Sequence, residues 1–220
     1  MTENPPEKPS ASRPSFIVLD GQKTSIEEAR FSIALQTEAW DANKKAWVYG
    51  PGHLEARYSL SIRVTEESGE DGAPAPEAQV IPVFRAARGR HLLPRDLDGL
   101  TVEDEGDWEA WFGNDAPPLE NNRLVFGRWS AEQRLGISWS ATYSDRRGTK
   151  DFLFEGEATF DGISVRVKRE ADADEFMTQV FGQDCLGRLR KETGSWVEHG
   201  EQMPPDRRRW LPIRYLPMDR

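Results

Sequence analysis

Residues 137–167 read ISWSATYSDRRGTKDFLFEGEATFDGISVRV, and their period-two alternation decides the fold class. Ile137, Trp139, Ala141 and Tyr143 fall on one face of a strand. Phe152, Phe154, Gly156, Ala158 and Phe160 mark the next strand, and Ile163, Val165 and Val167 a further one. Successive side chains of a strand point to opposite faces, so strict apolar/polar alternation describes a sheet with one dry and one wet side. Asp161-Gly162 between the last two runs carries the type I′ hairpin signature. The register of that turn sets Glu157 opposite Arg166 and Glu155 opposite Lys168, and opposite charges favour such a ladder. A loop over Arg146–Thr149 then pairs Tyr143 with Phe152 and lays the Trp139 ring over Gly156, which makes this glycine a packing residue.

The pattern extends outward in both directions. Arg123 to Trp129 forms the preceding strand. In 53–65, Leu54, Ala56, Tyr58, Leu60, Ile62 and Val64 alternate with polar residues, and Phe31, Ile33, Leu35 and Thr37 do the same over 30–40. Asp41–Lys44 is a hairpin turn leading to Ala46–Tyr49, and Gly50-Pro51-Gly52 reverses the chain again. Ser15–Leu19 is a short apolar run ended by Asp20-Gly21. After 167 the period changes. Asp172 with Glu175 resembles a capping box, Phe176, Met177, Val180 and Phe181 form one apolar stripe, and Gly182 ends the helix. Residues 184–191 continue as a second turn, and Trp196 and Trp210 anchor a wrapping C-terminal segment. The sequence therefore predicts an α+β, β-rich fold: antiparallel meander sheets with a short amphipathic helix packed on the dry face.

Residues 1–14 hold four prolines among polar residues and read as a disordered tail, leaving 15–220 as a single β-rich globular domain. A second break runs from Glu66 to Ala78. An internal echo links Arg30-Phe31-Ser32-Ile33 with Arg134-Leu135-Gly136-Ile137, and Ser61–Val64 with Ser164–Val167. It raises two readings: two similar halves, 15–98 and 121–200, joined by an acidic segment, or the shared composition of amphipathic strands.

The chain has 220 residues, 37% hydrophobic, with a net charge of −9 and one cysteine. That is apolar enough for a sizeable core. A single Cys excludes intramolecular disulfides and Cys-cluster metal sites. No stretch approaches the roughly 20 apolar residues of a membrane span and no leader opens the chain. The expected setting is cytoplasmic, and the acidic balance argues against nucleic acid.

Motifs for chemistry are sparse. His53, His91 and His199 stand far apart, without metal-ligand spacing, and no metal or cofactor is expected. Cys185 reads as a buried inert thiol, its alternative being a thiolate assisted by His199. No Gly-x-Ser-x-Gly elbow or phosphate-binding glycine loop occurs. Glu155 and Glu157 read as a solvated face rather than an acid/base pair.

Charge placement carries more information. Asp96 to Asn122 contains nine acids and no base, which leaves 29 acids against 29 bases elsewhere. Inside that window Trp108, Trp111 and Phe112 sit among Asp104, Glu105, Asp107 and Glu109. Acid with exposed aromatic rings suits a cationic partner, since charge steers encounter and rings anchor the contact. Two alternatives stand beside this. The rings could belong to a short helix buried on the core, or the acids could pair internally with Arg85, Arg88, Arg90 and Arg95 or with Arg207, Arg208, Arg209 and Arg214. The leading expectation is a non-catalytic protein-binding module holding a basic partner through Asp104, Glu105, Asp107, Trp108, Glu109, Trp111 and Phe112, in the manner of an inhibitor or immunity-type protein. The others are a small enzyme or small-ligand binder with a cleft between the sheets, and a structural subunit of a larger assembly.

Overall fold

A computed structural model describes residues 15–64, 78–81, 93–104, 108–112, 118–146, 148–194, 197–198, 201–202 and 210–218. The 1–14 tail, residues 66–77 of the second break and Trp196 lie outside them. The elements in chain order are β1 (Phe16–Leu19), β2 (Gln22–Gln36), β3 (Glu38–Asp41), β4 (Ala46–Tyr49), β5 (Glu55–Val64), β6 (Ala78–Ile81), β7 (Thr101–Asp104), β8 (Trp108–Phe112), β9 (Pro118–Trp129), β10 (Arg134–Asp145), β11 (Gly148–Val167), α1 (Glu170–Phe181), β12 (Leu189–Thr193), β13 (Val197–Glu198), β14 (Glu201–Gln202) and β15 (Leu211–Pro217). The fold is β-rich α+β, as the alternation predicts.

One large sheet dominates, with neighbours in the order β1-β2-β5-β6-β8-β9-β10-β11-β15-β12 and β7 added beside β9. The sheet curls until β11 meets β2, so β2, β5, β6, β8, β9, β10 and β11 form a ring of pairings. Six of those pairings are antiparallel and the closing one, Phe160 beside Phe31 through Val165 beside Leu35, is parallel. This follows from counting: strands alternate in direction along a meander, so the first and seventh run the same way. The short β1 wedges between the diverging ends of β2 and β11 and pairs with both.

The closure changes the reading of Asp161-Gly162. No hairpin forms there. Residues 148–167 are one strand, and the ladder to β2 slips by one residue between Phe160 and Gly162. An extra residue shifts inward-facing parity from even to odd, so Phe152, Phe154, Ala158 and Phe160 are buried before it and Ile163, Val165 and Val167 after it. A two-residue turn would shift parity equally, which is why the pattern also fits a hairpin. Glu157 and Glu155 consequently do not face Arg166 and Lys168. Glu157 lies opposite Gly136 and pairs with Arg134 at 3.7 Å, and Glu155 accepts a 2.6 Å hydrogen bond from the Ser138 hydroxyl. The β10–β11 register also differs from the expected one by two residues. The chain reverses tightly between Asp145 and Gly148, so Trp139 pairs with Phe154 and Ile137 with Gly156. Gly156 remains a packing residue, but a Cβ there would overlap the Ser15 side chain rather than a tryptophan ring.

The predicted inner faces are filled. Phe31 meets Tyr58, Phe126 and Phe160 with ring centroids 6.0–6.4 Å apart, and Trp129 stands edge-on to Phe160. Trp139 is fully buried, and its indole N–H donates to Asn122 Oδ1 at 3.1 Å while the Asn122 amide donates to the Leu119 carbonyl. A buried indole N–H needs such a partner. Helix α1 packs on β11 and β15 through buried Ala173, Phe176, Met177, Val180 and Phe181. It starts at Glu170 with Arg169 as its cap residue, so Asp172 sits inside the first turn and is not a capping-box residue. A 3-10 turn over 183–188 follows. Of the C-terminal segment, Leu211–Pro217 joins the sheet as β15 between β11 and β12, and residues 203–209 lie outside the described residues.

Gly162 has φ +101°, and a Cβ at that position would lie 2.8 Å from both the Tyr215 carbonyl oxygen and Leu216 Cδ2. Gly162→Ala is expected to cost about 1–3 kcal/mol, the range for a non-glycine residue in this backbone region. A lowered urea midpoint would show it, and an unchanged midpoint would contradict the bulge.

Candidate functional site

The acidic window is laid against one wall of the sheet. Residues 94–97 form a 3-10 turn, and Gly99 and Leu100 exchange backbone hydrogen bonds with Phe126. β7 and β8 then follow the same edge of β9: Thr101–Asp104 lies beside Val125–Asn122, and Trp108–Glu109 beside Leu119–Pro118. The aromatic segment is therefore a strand, not a short helix. It pairs with β6 on its other side, Phe112 beside Ala78 through Glu109 beside Ile81. Alternation splits positions 108 and 112 from 111. Of the site residues expected from sequence, Asp104 pairs on β7 with β9, Trp108 and Glu109 pair on β8 with β9, and Trp111 and Phe112 pair on β8 with β6, while Glu105 and Asp107 lie outside the described residues.

The window's charges can be followed at four positions. Asp96, Asp98, Glu103 and Glu120 are exposed. Glu103 meets Arg123 at 3.1 Å, with both side chains more than half exposed, a geometry that contributes little. Among the described residues Asp96, Asp98 and Glu120 form no ion pair. Two of the proposed internal partners are described. Arg214 is engaged by Asp161 at 3.3 Å, and Arg95 forms no ion pair among the described residues. Arg85, Arg88, Arg90 and Arg207–Arg209 lie outside them.

The candidate nucleophile is shielded. Cys185 is buried with its thiol toward the Met177 carbonyl at 3.6 Å, and burial pushes its pKa above the ordinary thiol value. His53 is half-buried in the 3-10 turn 51–53, and His91 and His199 lie outside the described residues. Among those described, no three His, Cys, Asp or Glu side chains gather as metal ligands. No helix among them is long and apolar enough to cross a membrane.

Three arrangements go beyond the site residues expected from sequence. The first is a pair of tyrosine–carboxylate links that fasten α1. Tyr49 donates to Asp172 Oδ2 at 2.7 Å while accepting from the Lys168 backbone N–H, and Arg169 grips the other carboxylate oxygen at 2.6–2.9 Å. Tyr215 donates to Asp174 at 2.5 Å, and Lys191 Nζ meets the same carboxylate at 3.1 Å. Burial, reinforced by Asp172, pushes the Tyr49 phenol up to about 12. The hydrogen bonds from Arg169 and Tyr49 hold Asp172 below the usual carboxylate range. The second is the β3–β4 hairpin, which leaves Trp40 and Trp47 opposite each other, 54% and 60% exposed, with ring centroids 6.0 Å apart. The third is an open cleft of about 670 Å³ at one end of the curled sheet. It lies between the β9–β10 turn, the 94–97 turn, the start of β12 and the end of β15. The Tyr49–Asp172 link joins residues 123 positions apart, and the cleft joins 93–98 to 217–218, so no local pattern announces them.

Comparison with known proteins finds no family model that matches the chain, no curated protein that matches its sequence and no solved structure that matches it.

Two measurements check this geometry. Cys185 is expected to resist maleimide at neutral pH in the native protein and to react within minutes once urea unfolds it, as read by mass spectrometry. Asp172→Ala is expected to lower stability by about 1–3 kcal/mol, because it strips buried partners from Tyr49 and Arg169. The Tyr49 contribution has a definite pH sign. A phenol whose pKa is raised by folding stabilises fully below its unfolded value near 10 and loses that contribution as pH rises toward about 12. The stability difference between the native protein and Tyr49→Phe should be flat through neutrality and shrink above about pH 10.

Proposed function

We propose that the chain is a non-catalytic protein-binding module that holds a basic partner through the acidic ladder along β9, in the manner of an inhibitor or immunity-type protein working in a reducing, cytoplasmic setting. The carrying observation is that the exposed acids Asp96, Asp98 and Glu120 form no ion pair among the described residues, while Arg214 is spent on Asp161. Uncompensated charge on a hydrogen-bonded wall is preorganised. It steers a cationic partner over a Debye length of about 8 Å at physiological salt and loses little entropy on contact. Trp108, Trp111 and Phe112 on β8 supply the residue types that dominate interface energetics. The reading is further supported by the shielding of Cys185, which removes the nucleophile that an enzymatic alternative would use.

The test is affinity capture from the native host at low and moderate salt, followed by a titration with whichever basic protein is recovered. Charge reversal of Asp104, Glu105, Asp107 and Glu109 to Lys is expected to weaken that complex at least about tenfold, chiefly through association rate. Trp108→Ala is expected to speed dissociation. Capture that survives the charge reversal unchanged would refute the reading.

A further inference from the structure

The cleft at the end of the sheet has the lining of a small-molecule site. Its volume, about 670 Å³, falls within the roughly 300–1,000 Å³ usual for ligand pockets, and the mouth of a curled sheet is a common place for one. The floor is aromatic and preformed. Phe160 is buried at the bulge, Trp129 stands edge-on against it at 6.1 Å, and the Phe31 ring packs on Phe160 at 6.4 Å, which holds the floor in place. Leu93, Leu189 and Pro217 add apolar wall.

The rim is charged in a specific way. Arg95 and Arg188 both line the cleft, together with one carboxylate, Asp98. Both arginines are exposed, and neither forms an ion pair among the described residues. Elsewhere in this acid-rich chain Arg57, Arg134, Arg190 and Arg214 each find a carboxylate. Among the described residues the lining thus carries two cations and one anion over an apolar floor. A net single positive charge suits one carboxylate better than a polyphosphate, and guanidinium groups bind carboxylates through charge-assisted, often bidentate hydrogen bonds. The rim is held in shape by main-chain links: the Met218 N–H donates to the Arg188 carbonyl at 3.3 Å, and the Gln133 side-chain amide to the Met218 carbonyl at 3.4 Å.

We propose that this cleft binds an amphipathic monocarboxylate, with its carboxylate between Arg95 and Arg188 and its apolar body on Trp129 and Phe160. The site is separate from the reading of the acidic ladder, and Asp98 belongs to both.

The probe is 2-naphthoate, titrated calorimetrically into the full-length protein. The expected result is saturable one-site binding that weakens at least about tenfold for the neutral 2-naphthalenemethanol, and by a similar factor in the Arg95→Gln, Arg188→Gln double variant, as loss of a charge-assisted contact implies. Both side chains are exposed, and circular dichroism confirms that the variant is folded. Should that variant fail to fold, the neutral analogue decides the question on the native protein. Absence of saturable binding at millimolar probe, equal binding of the neutral analogue, or unchanged affinity in the folded double variant would each overturn the proposal. Tighter binding of 2-naphthyl phosphate than of 2-naphthoate would overturn the assignment to a monocarboxylate.

Discussion

The structure depends on β11 being able to serve two neighbourhoods in one pass. Its first half is shared by β10 and β1, its second by β2 and β15. A regular strand of 20 residues could not do this with one buried face, because curling the sheet rotates the direction of the interior along the strand. The one-residue slip at Asp161-Gly162 absorbs that rotation, since a bulge adds local twist and shifts the inward-facing set. Gly162 is required there for two reasons at once: its backbone conformation, and the main chain of Tyr215 passing against it. Ring closure, the seat of β15 and hence the platform for α1 follow from that single residue step.

Period-two reasoning recovered most of the strands, because burial and alternation are local properties of a pleated chain. Phe31, Ile33, Leu35 and Thr37 lie on the core, as do Ala56, Tyr58, Leu60 and Ile62. The helix stripe of Phe176, Met177, Val180 and Phe181 was legible for the same reason. Register was not. A hairpin and a bulge at Asp161-Gly162 produce the same change of parity, and only β2, more than 120 residues earlier, distinguishes them. The charges that seemed to confirm the hairpin were a coincidence of the alternation: any polar face bearing Glu155, Glu157, Arg166 and Lys168 offers such pairs. Asp172 misled in another way, since a carboxylate near a helix start resembles a cap whether it bonds the backbone or, as here, Tyr49 and Arg169.

The excess negative charge acquires a location through the same topology. β7 and β8 occupy one edge of β9 in succession, so Glu103, Asp104 and Glu109 are set along the same edge of that strand. The window's position in the chain was legible from composition. Its conformation was not, because a Trp-x-x-Trp-Phe spacing reads as helical until β6 and β9 supply strand partners on both sides. The tyrosine links at Tyr49 and Tyr215 show the complementary use of acid: Asp172 and Asp174 on α1 are engaged internally, whereas Asp96, Asp98 and Glu120 form no ion pair among the described residues.

The parallel seam between β2 and β11 also has a kinetic meaning. Thr37 bonds the Arg166 carbonyl across 129 residues of chain, and the neighbouring pairs are nearly as distant. Ring closure therefore waits until β11, which ends at Val167 of the 220 residues, has been made. Loop-closure entropy must be overcome before these contacts stabilise anything, which places the chain among slow-folding, high-contact-order topologies. On the ribosome, β2 and β5 would emerge as an isolated two-stranded sheet with one edge open. The charged side chains of Glu28, Arg30 and Arg63 on their outer face would then act as guards against aggregation during the wait for β11.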